Sequence, residues 1–239
     1  MQQTAVQSIQ SDFKKGIQAG MSIAVGYVPV ALTFGLLAKT TGLTLLEAIL
    51  MSMLVFAGAA QYISLSLIAG GVGIGVIIFN TFIVNIRHFL MSASLNEKMD
   101  DAPKRTKSLY AFGITDETFT VIATRSGKSS ASFALGVMLV AYGSWVLNTG
   151  AGHLIGASLP DFLQAAMSIA LYAMFVGLLM PSLRKSIKVL YLALIAGCIN
   201  SALILTDSME TGWAIIVSTI LSAAAVETAI LLKRKAGVQ

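Results

Sequence analysis

Residues 48–86 read AILMSMLVFAGAAQYISLSLIAGGVGIGVIIFNTFIVNI, a stretch without a single Asp, Glu, Lys or Arg. About 20 helical residues cross the hydrocarbon core of a bilayer, so this stretch is too long for one crossing and long enough for two. Gly70, Gly71, Gly73 and Gly75 sit in its middle and supply a tight uncharged turn, which predicts two helices on either side of it. The second is expected to continue through Arg87 and His88 to about Leu95.

Further runs without a charge cover residues 16–38, 129–160, 162–183, 189–206 and 211–226. Of the 239 residues 56% are apolar and only 11% charged, with a mean hydropathy of +0.82; about a quarter of an ordinary soluble domain is charged, so a water-soluble fold is ruled out. The length leaves room for seven or eight spanning helices and no extramembrane enzyme domain. Lys14 and Lys15 precede the first run, which is longer than a signal-peptide core and has no convincing cleavage site, so it is expected to stay as the first span. The net charge of +5 resides in short clusters between apolar runs, an orientation signal rather than a nucleic-acid surface. The single Cys198 allows no intrachain disulfide and no cysteine-pair metal site, and no cofactor is expected.

The expected class is an all-α polytopic membrane protein forming one transporter domain over residues 1–239. Its halves, about 13–107 and 129–232, are joined by a membrane-embedded segment, 108–124. That segment is about one short crossing long, yet carries Asp116 and Glu117 at its centre. Either it crosses inside a bundle, or it is a re-entrant or broken helix lining a cavity. Eight crossings place both termini inside but leave Lys98, Lys104, Arg105 and Lys107 outside, whereas seven place those four inside and expose only Lys14 and Lys15. The count of basic residues favours seven. A shift of roughly 115 residues lays Tyr27 on Tyr142, Gly35 on Gly150 and Asn85 on Asn200, with Met51-Ser52 on Met167-Ser168 one residue later; with seven spans the copies form an inverted repeat, with eight they are parallel.

Candidate site residues follow from the cost of polar groups in hydrocarbon. Pro29 removes a backbone donor in mid-span and frees a carbonyl one turn earlier, as a kink or as a substrate-facing break. The tiny residues before Gln61 leave space beside a helix; the amide either lines a cavity or bonds another helix. Asn85, His88 and Ser92 form one helical stripe, Asn80 and Arg87 another. Arg87 and His88 either mark the cytoplasmic interface, or Arg87 holds a carboxylate while His88 relays protons. Asp116 and Glu117 could bind a substrate ammonium group, carry a proton, or pair with Arg87. Small-residue pairs such as Gly16 and Gly20 are expected to pack helices closely, and Asn148 and Asn200 to bond between helices. His153 is expected in an external loop. Elbow, phosphate-loop and zinc-helix patterns of enzymes are absent from the sequence.

Taken together, Gly26-Tyr27-Val28-Pro29, the run from Phe56 to Gln61, Asn85-Ile86-Arg87-His88-Phe89-Leu90-Met91 and Thr115-Asp116-Glu117-Thr118-Phe119 resemble the AzlC family, the large subunit of bacterial branched-chain amino acid exporters. The resemblance covers nearly the whole chain. It implies a multi-pass protein of the cytoplasmic (inner) membrane that exports valine, leucine, isoleucine and sometimes methionine together with a small, separate AzlD-type membrane subunit. Proton motive force, acting through His88, Asp116 and Glu117, is the natural drive for such acids. Substrate contacts are expected from Pro29, Gln61, Asn85, Arg87, Asp116 and Glu117, with the aliphatic group near residues 57–61. The competing expectation is a membrane scaffold whose partner carries the substrate path.

Overall fold

The computed structural model describes residues 2–155, 186–206, 208–209 and 211–235, with isolated positions between 158 and 184. Most of the span expected over 162–183 lies outside the described residues, as does the repeat partner Met167-Ser168. The described chain is helical: α1 (Gln2–Thr40), α2 (Leu45–Leu54), α3 (Gly58–Ala69), α4 (Ile74–Lys98), α5 (Lys104–Phe112), α6 (Asp116–Ala123), α7 (Ala131–Ile155), α8 (Ile187–Leu205) and α9 (Thr211–Lys235). Among the described residues five of these, α1, α4, α7, α8 and α9, are long and apolar enough to cross a membrane.

The opening stretch differs from expectation. The glycine turn is there, with Gly71 at φ 69°, but the first of the two expected helices is itself broken at residues 55–57, giving α2 and α3. Segment 108–124 is broken as well: Gly113, Ile114 and Thr115 separate α5 from α6. α4 runs to Lys98, past the expected end near Leu95, and α5 already begins at Lys104.

Two compact units emerge, one comprising Met1–Leu65 with Val84–Tyr172, the other Ser66–Ile83 with Ala173–Gln239. The first is built on α1 and α7, whose backbones touch through glycine. A Cβ on Gly16 would lie 2.2 Å from the Phe133 carbonyl oxygen, one on Gly20 2.8 Å from that of Val137, and one on Gly35 2.0 Å from that of Thr149. From α7, a Cβ on Gly136 or Gly152 would meet the carbonyl oxygens of Phe13 and Leu32 at 2.4 and 2.0 Å. Higher numbers on α1 face higher numbers on α7, so the two helices run parallel. They are the opening helices of the two expected repeat copies, and an inverted repeat would have set them in opposite directions.

Against this pair each broken helix folds back as a hairpin. α2 starts from Thr44, whose side chain forms a reciprocal capping box with Glu47. It then runs antiparallel to α7: Ile49 abuts Gly150, Ser52 meets Thr149 at 2.8 Å, and the Met53 carbonyl accepts from Tyr142 at 3.0 Å. After the break α3 turns back. Gly58 lies under the Trp145 ring, where a Cβ would come within 2.8 Å, and the Tyr62 hydroxyl donates to the Val30 carbonyl at 2.6 Å. α5 and α6 enter from the opposite end. Gly113 rests on Met138 at the tip; beyond α6, Arg125 returns to Asp12 at 3.4 Å and to the face of the Phe133 ring at 4.2 Å. The tips share Tyr142, against which the Phe56 and Phe112 rings pack at 5.2 and 5.9 Å. Edge-to-face aromatic contacts of this kind favour one orientation of the tips.

The start of α1, the end of α4 and both ends of the α5–α6 hairpin meet at one end of this unit. Asp12 accepts from Ser130 at 2.8 Å, Ser129 bonds the backbone of Lys98 and Asp100 at 3.0 Å, and the Lys98 ammonium donates to the Ala123 carbonyl. His153 is not in an external loop: it sits in the last turn of α7, buried, with Nε2 2.8 Å from the Leu43 carbonyl. Asn148 bonds within its own helix, to the Ser144 carbonyl at 2.7 Å, rather than between helices. In the second unit Phe79 packs on Trp213 at 6.1 Å and Lys188 pairs with Glu227.

Candidate functional site

The break before α6 is held by threonines. Thr115, in extended conformation (φ −126°, ψ 175°), caps the helix; its hydroxyl accepts from the Thr118 N–H and the Thr118 hydroxyl accepts from the Thr115 N–H at 2.8 Å. The Thr118 hydroxyl also donates to the Gly113 carbonyl at 2.9 Å, so the reversal has its polar groups satisfied away from water. Asp116 and Glu117 occupy the first turn of α6, where the helix dipole favours negative charge.

Successive helical residues point about 100° apart, so the two acids meet different neighbours. Asp116 Oδ2 lies 2.9 Å from Arg87 Nη1 of α4. Glu117 Oε2 accepts from the Tyr27 hydroxyl of α1 at 2.6 Å, and the same hydroxyl lies 2.8 Å from Thr115 Oγ1. Tyr27 is buried, with its ring edge-on to Trp145 at 5.1 Å and to Phe56 at 6.3 Å. His88 is half-buried on α4 within electrostatic reach of both Arg87 and Glu117. Arg87 Nε is buried without a hydrogen-bond partner.

Four expected site residues, Arg87, His88, Asp116 and Glu117, are thus brought together, and of the roles open to the acids, pairing with Arg87 is taken by Asp116. Asn85, on the stripe of α4 that carries His88, is half-buried with an unpartnered Oδ1. Pro29 lies two residues beyond Tyr27 in an α1 that stays helical, and its carbonyl accepts from Thr33 at 2.8 Å. Gln61 is fully buried: its Nε2 donates to Ser52 at 3.0 Å and its Oε1 accepts from Trp145 Nε1 at 2.8 Å. The space expected beside the run of small residues is filled by the Trp145 ring. Tyr27 and Thr115 were not singled out as site residues, although both fall within the motif stretches that carry the resemblance.

Comparison with known proteins agrees with that resemblance. The chain is 34% identical to an uncharacterized membrane protein of Archaeoglobus fulgidus over 72% of its length and 76% of the relative's. It is 27% identical to the inner membrane protein YgaZ of Escherichia coli over 78% and 80% of the two chains. With the branched-chain amino acid transport protein AzlC of Bacillus subtilis it shares 25% identity over 69% and 68%. No solved structure matches. Residues 22–159, which hold α2 to α7, both hairpins and the acid cluster, match the family described as AzlC protein, and the chain belongs to that family.

Proposed function

We propose that this protein is the transporting subunit of a secondary exporter that moves valine, leucine, isoleucine and methionine out of the cell, driven by the proton motive force and acting with a small AzlD-type membrane subunit. The observation that carries the proposal is the pair of opposed hairpins whose breaks meet beside an acid pair, an arginine and a histidine. Broken helices deep in a membrane protein are tolerated where they are buried in protein or line a cavity, and secondary transporters place substrate and coupling-ion sites at such breaks. The substrate ammonium group is assigned to Asp116 of α6, and its carboxylate to Arg87, once the ion pair between the two opens. A pocket that recognises only aliphatic bulk separates side chains differing by one methylene by about 1–3 kcal/mol, hence the broad specificity.

The hairpins also bear on orientation. If neither crosses, Lys14, Lys15, Lys98, Lys104, Arg105, Lys107, Arg125 and Lys128 all fall on one side, and the positive-inside preference makes it the cytoplasmic side. The scaffold reading draws on the closed Arg87–Asp116 pair and the internally satisfied Gln61. Cells loaded with dipeptides of the four amino acids, expressing this chain alone or with the small subunit, distinguish the two. Selective efflux that collapses with a protonophore is expected. Absence of efflux from cells that demonstrably insert both chains refutes the proposal.

A further inference from the structure

The two neighbouring acids of α6 have opposite surroundings. Asp116 is matched by Arg87 at 2.9 Å, and the pair is neutral as a unit. Among the described residues no cation lies within ion-pair distance of Glu117; its hydrogen-bond partner is a hydroxyl, Tyr27 Oη, which also touches Thr115 Oγ1. The charged and titratable groups around it are Asp116 on its own helix and Arg87 and His88 on α4. α1 contributes Tyr27, and α7 approaches through Met138 and Trp145, with Tyr142 packed beyond them on Phe56 and Phe112.

A hydroxyl both donates and accepts, so this chain can run in either direction. With Glu117 ionised, Tyr27 donates to Oε2 and accepts from Thr115. With Glu117 protonated, the new carboxyl O–H donates to Tyr27 Oη and the tyrosine hydrogen turns to Thr115 Oγ1, whose own hydrogen turns to Thr118 Oγ1 at 3.4 Å. Both protonation states are hydrogen-bonded without side-chain rearrangement, which removes the cost of an unsatisfied buried group from either. Asp116 has no such second arrangement, since protonation would give up its ion pair with Arg87.

We infer that Glu117, and not Asp116, is the carboxyl that takes a proton from water on one side and releases it to water on the other, with Tyr27 and Thr115 as its positioning residues. The inference rests on the exporter reading above. Its test uses the chain with its small subunit in liposomes, following exchange of labelled leucine between the two faces, proton flux with a pH-sensitive dye, and net transport driven by a pH gradient. Glu117→Gln is expected to keep leucine exchange while gradient-driven transport and proton flux fall at least about tenfold, the loss expected when an essential proton group is removed. Asp116→Asn lowers exchange but leaves protons moving with the leucine that is transported. Tyr27→Phe keeps the fold's aromatic packing and moves the pH midpoint of net transport by about one unit, the size of one lost hydrogen bond to a charged group. Proton flux surviving in Glu117→Gln, or lost only in Asp116→Asn, overturns the assignment while the exporter reading stands. Leucine transport by the unaltered protein without proton flux, or driven by sodium, overturns the assignment together with the proton drive of the exporter reading. Absence of leucine exchange in the unaltered protein fails the exporter reading, and the assignment falls with it.

Discussion

Replacing Gly35 with alanine tests the element on which the first unit is built. The added methyl would sit 2.0 Å from the Thr149 carbonyl oxygen and close to the backbone of Gly152 and His153, whereas ordinary contact begins at 3.4 Å. What it meets is the backbone of α7, so relief requires the two helices to part rather than a side chain to swing. Overpacking of this kind costs about 1–3 kcal/mol, and a clash with helical backbone belongs at the upper end. For a chain of this length that corresponds to a fall of roughly 6–12 °C in Tm. Gly26→Ala and Gly143→Ala are the matched controls, because a Cβ at either position has nothing within 4 Å; each should gain about 0.5–1 kcal/mol of helix propensity. Thermal denaturation in detergent, read as loss of the monodisperse chromatographic peak, separates the two sets. If Gly35→Ala melts with the unaltered protein, or if all three variants shift alike, the close parallel contact of α1 and α7 is refuted.

Three further outcomes are expected. In a background with Cys198 replaced, Lys14→Cys and Asp101→Cys should both react with a membrane-impermeant maleimide only from the cytoplasmic face, and Lys39→Cys only from the other; opposite faces for the first two would contradict the hairpin arrangement. Arg87→Gln and Asp116→Asn together should destabilise the protein less than the sum of the two single effects, with a coupling of about 0.5–3 kcal/mol in a melting double-mutant cycle. Trp145→Phe leaves Gln61 Oε1 without its donor in a fully buried position, so Tm should fall by an amount equivalent to about 1–3 kcal/mol; a partial recovery on adding Gln61→Leu would identify the unpaired carbonyl as the cause.

The membrane class, the long helices and the glycine turn at residues 70–73 are legible in the sequence because hydropathy and glycine act locally. The cluster of Arg87 with Asp116 was legible as one of several pairings, since a charge in an apolar segment needs a counterpart. The break between α2 and α3 was not. Residues 55–57 are Val-Phe-Ala, without proline, glycine or charge, and what makes the chain reverse there is tertiary: Gln61 reaches back to Ser52, and Trp145 occupies the space left by Gly58. Counting basic residues favoured seven crossings over eight, but it took the first helix of residues 48–86 as unbroken. Tyr27 was passed over for a similar reason, an aromatic in an apolar helix being ordinary core until its hydroxyl is seen facing a carboxylate.

Tyr27 lies about 22 Å along the helix axis from Asp12 and about 20 Å from Thr40, at 1.5 Å per residue. The tips of both hairpins, and Glu117 with them, therefore sit near half depth. A unit charge carried through the whole membrane potential exchanges about 2.3 kcal/mol per 100 mV, so arrival at this depth from either face involves roughly half of that. Under the proposed assignment of Glu117 as the proton carrier, occupancy of the carboxyl responds to voltage as well as to acidity, and equal pH on both sides still leaves the site biased by the electrical potential alone.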